Sequence, residues 1–365
     1  MTLVLSAEHE ALRATVREFL AATSPQARVR EWMAADSGFD RDAWRLMAKQ
    51  LGLLGLAVPE EFGGAGGSAV ELGVVLEEMG RALVCAPFFA TAVLARQALL
   101  GSGDRAAQQR YLPAIVSGEL VATVAVAEDE GWDAVTLAAT PGWSLTGTKS
   151  YVLDGMDADV VFTLARTPQG LGMFAVDTDA PGLVRESLPV LDRTRRLARM
   201  SFHAVAATPV GDPAFAGEVM RTVLDHAAAA LAMEQAGGAA RVLELAVDHA
   251  KSRFQFGRAI GSFQAVKHRC ADMLVLVEQA KAVAYHAIAA SATDADDLRL
   301  AAGLAKAFCS TAYTRVANEN IQIHGGIGFT WEHPAHLYLK RAKSSELMFG
   351  DPARHRDAIG RALGV

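Results

Sequence analysis

Three stretches, 219–254, 264–290 and 296–320, carry apolar residues at helical spacing over roughly 25 to 35 residues each. A helix that long with an apolar stripe has to bury the stripe against another helix. The C-terminal part of the chain therefore reads as a bundle of the four-helix type, from 211 to 365. The 51% hydrophobic and 21% charged content can supply such a core and leaves no disordered character. At 365 residues, two or three packed units are expected.

The remainder changes texture twice. Residues 1–117 are helical in pattern. Ser6 is a good N-cap ahead of a stripe at Leu12, Val16, Phe19 and Leu20, and a helix over 43–51 is closed by Gly52. Further helices are expected at 69–79, 87–100, with Pro87 in the first turn, and 105–116. Residues 118–210 read as strands: 121–127, 143–153, 158–165 and 172–176 are short, rich in β-branched residues and punctuated by Gly, Pro and Asp. The expected class is α+β, with an N-terminal helical domain, a middle β-barrel or sandwich and a C-terminal bundle.

Between the first two long helical stretches lies RFQFGRAIGSFQ at 253–264. Arg253, Phe256 and Gln264 offer a planar charged fork, a stacking face and a two-way hydrogen-bonding group beside a glycine turn, a set suited to the diphosphate and adenine of a dinucleotide. Downstream, QIHGGIGFTWE at 322–332 places Gln322, His324, Gly325 and Gly326 at the end of another helical stretch. The two segments resemble the C-terminal flavin signatures of the acyl-CoA dehydrogenase family, and LGLAVPEEFGGAG at 54–66 resembles its N-terminal domain. The resemblance covers nearly the whole chain. It implies α,β-dehydrogenation of an acyl-CoA thioester with FAD as hydride acceptor. Such chemistry needs a desolvated base, donors on the thioester carbonyl and a flavin face against the substrate.

By the same resemblance, the base is missing. Its usual position near the C-terminus holds Phe349, and the alternative position on the first long C-terminal helix holds Ala227. Displaced candidates are Asp225 and His226 beside Ala227, and Glu346 one turn before Phe349; a helix-surface role for the first two and a Lys343 partner for Glu346 are the stronger expectations. In the family, the residues matching Arg253, Phe256, Gln264, Gln322, Gly325 and Gly326 reach a neighbouring subunit's FAD. The elements that hold a subunit's own flavin ring are altered: AEDEGWD at 127–133 adds carboxylates that would repel a diphosphate, KSYVLD at 149–154 lacks the usual tryptophan and threonine, and FGDPA at 349–353 lacks the usual donors. The pattern resembles the glutamate-lacking subunit of heterotetrameric α2β2 acyl-CoA dehydrogenases, whose partner is a homologous subunit carrying the glutamate. Two other readings stay open, an active homomeric dehydrogenase with a displaced base and a non-catalytic structural or regulatory paralogue.

A net charge of −6 with no basic run argues against nucleic acid or an anionic membrane as partner. Cys85, Cys270 and Cys309 lie far apart, and no cluster has metal-ligand spacing, so reduced thiols and no metal are expected. Neither an export signal nor a bilayer-spanning apolar run is visible, which fits a cytoplasmic protein. His249 and His268 read as satisfied surface or interface histidines, and at His324 the backbone is expected to matter more than the ring. The resemblance also implies electron-transferring flavoprotein as the electron acceptor. Which acyl group is oxidised depends on cavity shape and is not legible.

Overall fold

A computed structural model describes residues 5–365 apart from Asp36, Asp133, Asp294 and Asp296. The expected helix start at Asp296, the last residue of the 127–133 segment and the first four residues of the chain lie outside that set. In chain order the helices are α1 (Ala7–Thr23), α2 (Gln26–Ala34), α3 (Arg41–Lys49), α4 (Ala69–Ala82), α5 (Arg96–Ser102), α6 (Arg105–Val116), α7 (Ala216–Ser252), α8 (Gln264–Ala292), α9 (Leu298–His324), α10 (Ala335–Leu347) and α11 (Pro352–Ala362). The strands are β1 (Ala122–Ala125), β2 (Ala138–Thr140), β3 (Ser144–Leu153), β4 (Val160–Thr167), β5 (Gly170–Asp177), β6 (Leu183–Ser187), β7 (Leu197–Ala206), β8 (Thr208–Val210), β9 (Phe254–Gln255) and β10 (Arg258–Ala259).

The three textures follow the chain, but packing divides it into two units. One contains residues 1–30, 69–84 and 228–365; the other contains 31–68 and 85–227. In the first, α8 and α9 pack along each other, α10 and α11 lie on α9, and α4 packs on α1 and α8. The α4–α7 crossing is set by glycine. A Cβ on Gly80 would lie 2.0 Å from the Glu234 carbonyl oxygen, and one on Gly237 would lie 1.9 Å from that of Glu77. Backbone meets backbone on both sides, so neither neighbour can yield cheaply. Gly237→Ala is expected to destabilise by about 3 kcal/mol or more, the upper end for overpacking, and chemical denaturation checks this. Around the crossing, the carboxylate of Glu234 accepts from Arg341 Nη1 at 2.7 Å, and both side chains are buried.

Among the described residues, α8 has the length and apolarity of a bilayer span. Its packing against α9 and α4, with Glu278 and Lys281 in its middle, makes it a bundle helix.

The second unit is built on one mixed sheet in the order β6-β7-β3-β2-β4-β5-β8, with β1 parallel to β4. Its core includes Leu137, Leu145, Val161, Phe174, Met200 and Phe202. Strand β7 alternates cleanly, burying Ala198, Met200 and Phe202 between half-buried Arg199 and Ser201. A π-helical turn, Phe89–Ala95, docks on β1, where Thr91 Oγ1 donates to the Ala122 carbonyl at 2.9 Å and accepts from its N–H at 3.2 Å.

Candidate functional site

At the end of α7 the Arg253 N–H still donates to the His249 carbonyl, at 2.9 Å. The chain then folds into the β9–β10 hairpin, pairing Gln255 with Arg258 and Phe254 with Ala259. Its two turn residues, Phe256 (φ 53°) and Gly257 (φ 77°), are both left-handed, as a type I′ hairpin turn requires. Glycine adopts this freely; a phenylalanine there costs roughly 1–2 kcal/mol. Phe256 is 91% exposed, with only an edge contact to Phe263 at 6.1 Å, so burial within the chain does not offset that cost. Backbone strain of this kind clusters at functional sites in proteins generally. The Arg253 side chain is exposed and its guanidinium makes no hydrogen bond or ion pair with any described residue. Arg258 lies over the Phe263 ring at 4.0 Å, and exposed Gln264 opens α8.

The second motif closes α9. Gln322, Gly325 and Gly326 are exposed, and Gly325 turns the chain at φ 64°. Gly326 has no such backbone need, and a Cβ on it would meet nothing within 4 Å. Neither conformation nor packing inside this chain requires glycine at 326, so the open space suits the close approach of something outside it. Phe329 is 70% exposed and Trp331 60%; Trp331 also carries Lys340 Nζ at 4.9 Å and Arg30 at 6.0 Å from its ring centre.

Histidines join the two motifs. The His249 ring, one turn before Arg253, stacks on His324 at 4.2 Å, and the His333 ring meets His324 at a tilt, with centroids 4.1 Å apart. His324 Nδ1 donates to the Asn320 carbonyl at 2.8 Å. Burial, with neighbouring rings and cations, holds these imidazoles neutral: His249 and His324 titrate below the usual range, and His333 is pushed down to about 4. His336, against the edge of Trp331, also falls to about 4 through burial and Lys340. The His324 ring therefore has a structural place that motif reading alone did not assign to it. The spacing of His249, His324 and His333 in sequence carried no signal that they stack.

Neither usual base position can accept a proton. Ala227 is fully buried within α7. Phe349 is buried in a left-handed turn after α10 (φ 58°), where its carbonyl lies 3.1 Å from His355 Nε2. Fully buried Lys306 donates to the carbonyls of Glu346 and Gly350 at 3.1 and 3.0 Å and pins the same turn. The Glu346 carboxylate accepts from Lys343 at 2.7 Å and from Thr314 at 3.2 Å, as its ion-pair expectation had it. Asp225 has partners of its own, and His226 is buried rather than on the helix surface.

The middle segment corrects one expectation. The carboxylate at 128 does not face outward to repel an anion, and the exposed one at 129 is already paired with a cation. Buried Glu128 accepts from Lys149 Nζ at 2.6 Å, from the Thr136 N–H and hydroxyl, and from the Leu137 N–H at 3.1 Å. Burial opposes its charge, but these donors outweigh burial and hold its carboxyl below the ordinary range. Asp129 is paired with Arg199 and accepts from Ser150 Oγ at 2.7 Å. Beside them, a bulge in β3 leaves Tyr151 half exposed at φ 56°, in the place expected for the missing tryptophan. Pro352 starts α11 under an Asp351 cap.

Known proteins align with this arrangement end to end. Residues 6–119 match the model of the acyl-CoA dehydrogenase N-terminal domain, and 217–364 match that of the C-terminal domain. The acyl-CoA dehydrogenase IpdE2 of Mycolicibacterium smegmatis is 37% identical over 95% of this chain and 96% of its own. Among solved structures, a variant of the Tcur3481-Tcur3483 steroid ACAD aligns at 32% identity and TM-score 0.89, covering 98% of each chain. The ChsE4-ChsE5 complex of Mycobacterium tuberculosis aligns at 28% identity and TM-score 0.91, over 100% of this chain and 99% of that one. The chain belongs to the acyl-CoA dehydrogenase family.

Proposed function

We propose that this chain is the base-lacking subunit of a heteromeric acyl-CoA dehydrogenase, and that Arg253, Phe256, Gln264, Gln322, His324, Gly325 and Gly326 complete the FAD site of a homologous neighbour. The observation that carries the reading is the state of the motif. Phe254, Phe256, Phe329 and Trp331 are each at least 60% exposed, and the strained Phe256 turn has no packing of its own. Such an apolar face suits cover by another protein. The fit to the cofactor is chemical: an unpaired guanidinium for a diphosphate, aromatic faces for stacking and open space at Gly326 for backbone approach. The names of the Tcur3481-Tcur3483 ACAD and the ChsE4-ChsE5 complex, each joining two chains, support a two-chain assembly here.

In the proposed division of labour the neighbour contributes the carboxylate that removes the α-proton. When bound, FAD accepts the β-hydride. Arg253 and the glycine turn hold and orient the cofactor's diphosphate end, while Phe349 and Ala227 keep this chain's own base positions apolar. The proposed assembly is an α2β2 heterotetramer in the cytoplasm, acting on fatty or steroid acyl-CoA and passing electrons to electron-transferring flavoprotein. Its chain divides for this work into 1–117, 118–210 and 211–365.

Flavin stoichiometry tests the reading. Purified alone, the chain should carry no FAD; co-produced with a base-bearing homologue, it should give about one flavin per two chains, with bound cofactor lost when the motif is altered. Full occupancy in the chain purified alone would sink the half-site.

A further inference from the structure

We propose that His249, His324 and His333 are positioning residues of this half-site: their stacked rings hold the Arg253 hairpin in register with the Gly325–Gly326 turn, and they do so only while uncharged. The inference rests on the half-site reading for its ligand but on the stack itself for its geometry. Arg253 and Gly325 are far apart in sequence, and the His249–His324 ring contact at 4.2 Å ties the turn of helix before one to the residue before the other. His333 adds a second ring contact to His324, tilted, at 4.1 Å. Hydrogen bonds orient two of the members: the neutral central His324 donates from Nδ1 to the Asn320 carbonyl, so its Nε2 carries no proton, and the outer His333 accepts at Nδ1 from the Ala335 N–H at 3.2 Å.

The charged surroundings give a proton no welcome. Arg253 flanks the stack from the end of α7, Arg30 from α2, and His336 and Lys340 from α10. Exposed Glu332, beside Arg30, is the one carboxylate in the immediate loop. Folding thus holds the rings neutral where the unfolded chain would protonate them. The stack contributes fully above about 6.5, the ordinary histidine value, and its contribution is lost as pH falls toward about 4. An imidazolium placed face to face with another ring, among cations, would part the hairpin from the turn before the bundle itself unfolds.

The test uses the complex with a base-bearing homologue and FAD as probe. Wild-type complex should bind FAD about tenfold more weakly at about pH 5 than at about pH 7.5. The double variant His249→Phe/His333→Phe replaces two of the three rings with aromatic faces that cannot titrate, and should lose much less FAD affinity between the two pH values than wild type. Parallel pH profiles for the two proteins, or retention that rises on acidification, would overturn the proposal. A second readout needs no flavin. In this chain alone, the Ile260 amide, which donates to the Arg253 carbonyl at 2.8 Å, should lose hydrogen-exchange protection on acidification in wild type but not in the double variant. If the complex binds no FAD at neutral pH, the half-site reading fails while the exchange result still decides the role of the stack; unchanged Ile260 protection in wild type would sink it.

Discussion

Lys149→Met is expected to destabilise the protein by about 3–5 kcal/mol, the usual cost of removing one partner of a buried ion pair. The Lys149 side chain is fully buried and that of Glu128 nearly so, with 2.6 Å between them. Methionine has much the same length, so the loss is electrostatic and not one of volume. Glu128 would keep its Thr136 and Leu137 donors but lose the ammonium that balances its charge. The damaged strand β3 also carries the Tyr151 bulge, so that surface should loosen with it. Adding Glu128→Gln to Lys149→Met should recover part of the stability, because the amide removes the unbalanced charge while its one oxygen keeps one of the two backbone donors. Denaturant titration of both variants decides this, and a single variant within about 1 kcal/mol of wild type would show that the pair is not charged in the fold.

The second large effect is on cofactor. Gly326→Val should leave the melting temperature of this chain nearly unchanged, since the new side chain meets open space and the backbone there is not left-handed. Yet the co-produced complex should lose FAD affinity by about a hundredfold, roughly 2.7 kcal/mol, by blocking backbone approach. Arg253→Ala should act in the same direction, again without a stability change, because it keeps the backbone bonds and the guanidinium has no partner among the described residues. Dialysis followed by flavin fluorescence measures both. Unaltered FAD content in either complex would place the cofactor elsewhere. The contrast with Lys149→Met is itself informative: one change breaks a fold and spares the motif, while the other two spare the fold.

Much of this was legible in sequence because it depends on local pattern. The long helices declared themselves by periodicity, and α6, Arg105–Val116, lies where the pattern put it. That Phe349 and Ala227 carry no proton-accepting group needed only residue identity, once the resemblance pointed to those positions. Strand β7 was not singled out although its buried Ala198, Met200 and Phe202 alternate, because the arginines at 193, 195, 196 and 199 mask the period. What sequence could not supply was pairing across distance. Glu128 looked like a repulsive charge until Lys149, Thr136 and Leu137 were placed around it. The imidazole stack was hidden for the same reason, since its members come from α7, α9 and the segment before α10.

The reciprocal glycine crossing of α4 and α7 has a consequence for how such subunits can be recombined. The helix Ala69–Ala82 lies within the first third of the chain, yet it belongs to the packing unit that bears the flavin motifs. A chimera that exchanges only residues after 210 with a relative would pair a foreign α7 with the native α4. The native Glu77 backbone oxygen would then face whatever residue the donor has at the position of Gly237, and native Gly80 would meet the donor's backbone at the position of Glu234. Any working transplant of the half-site has to move α4 with it, so the heritable module is a discontinuous one.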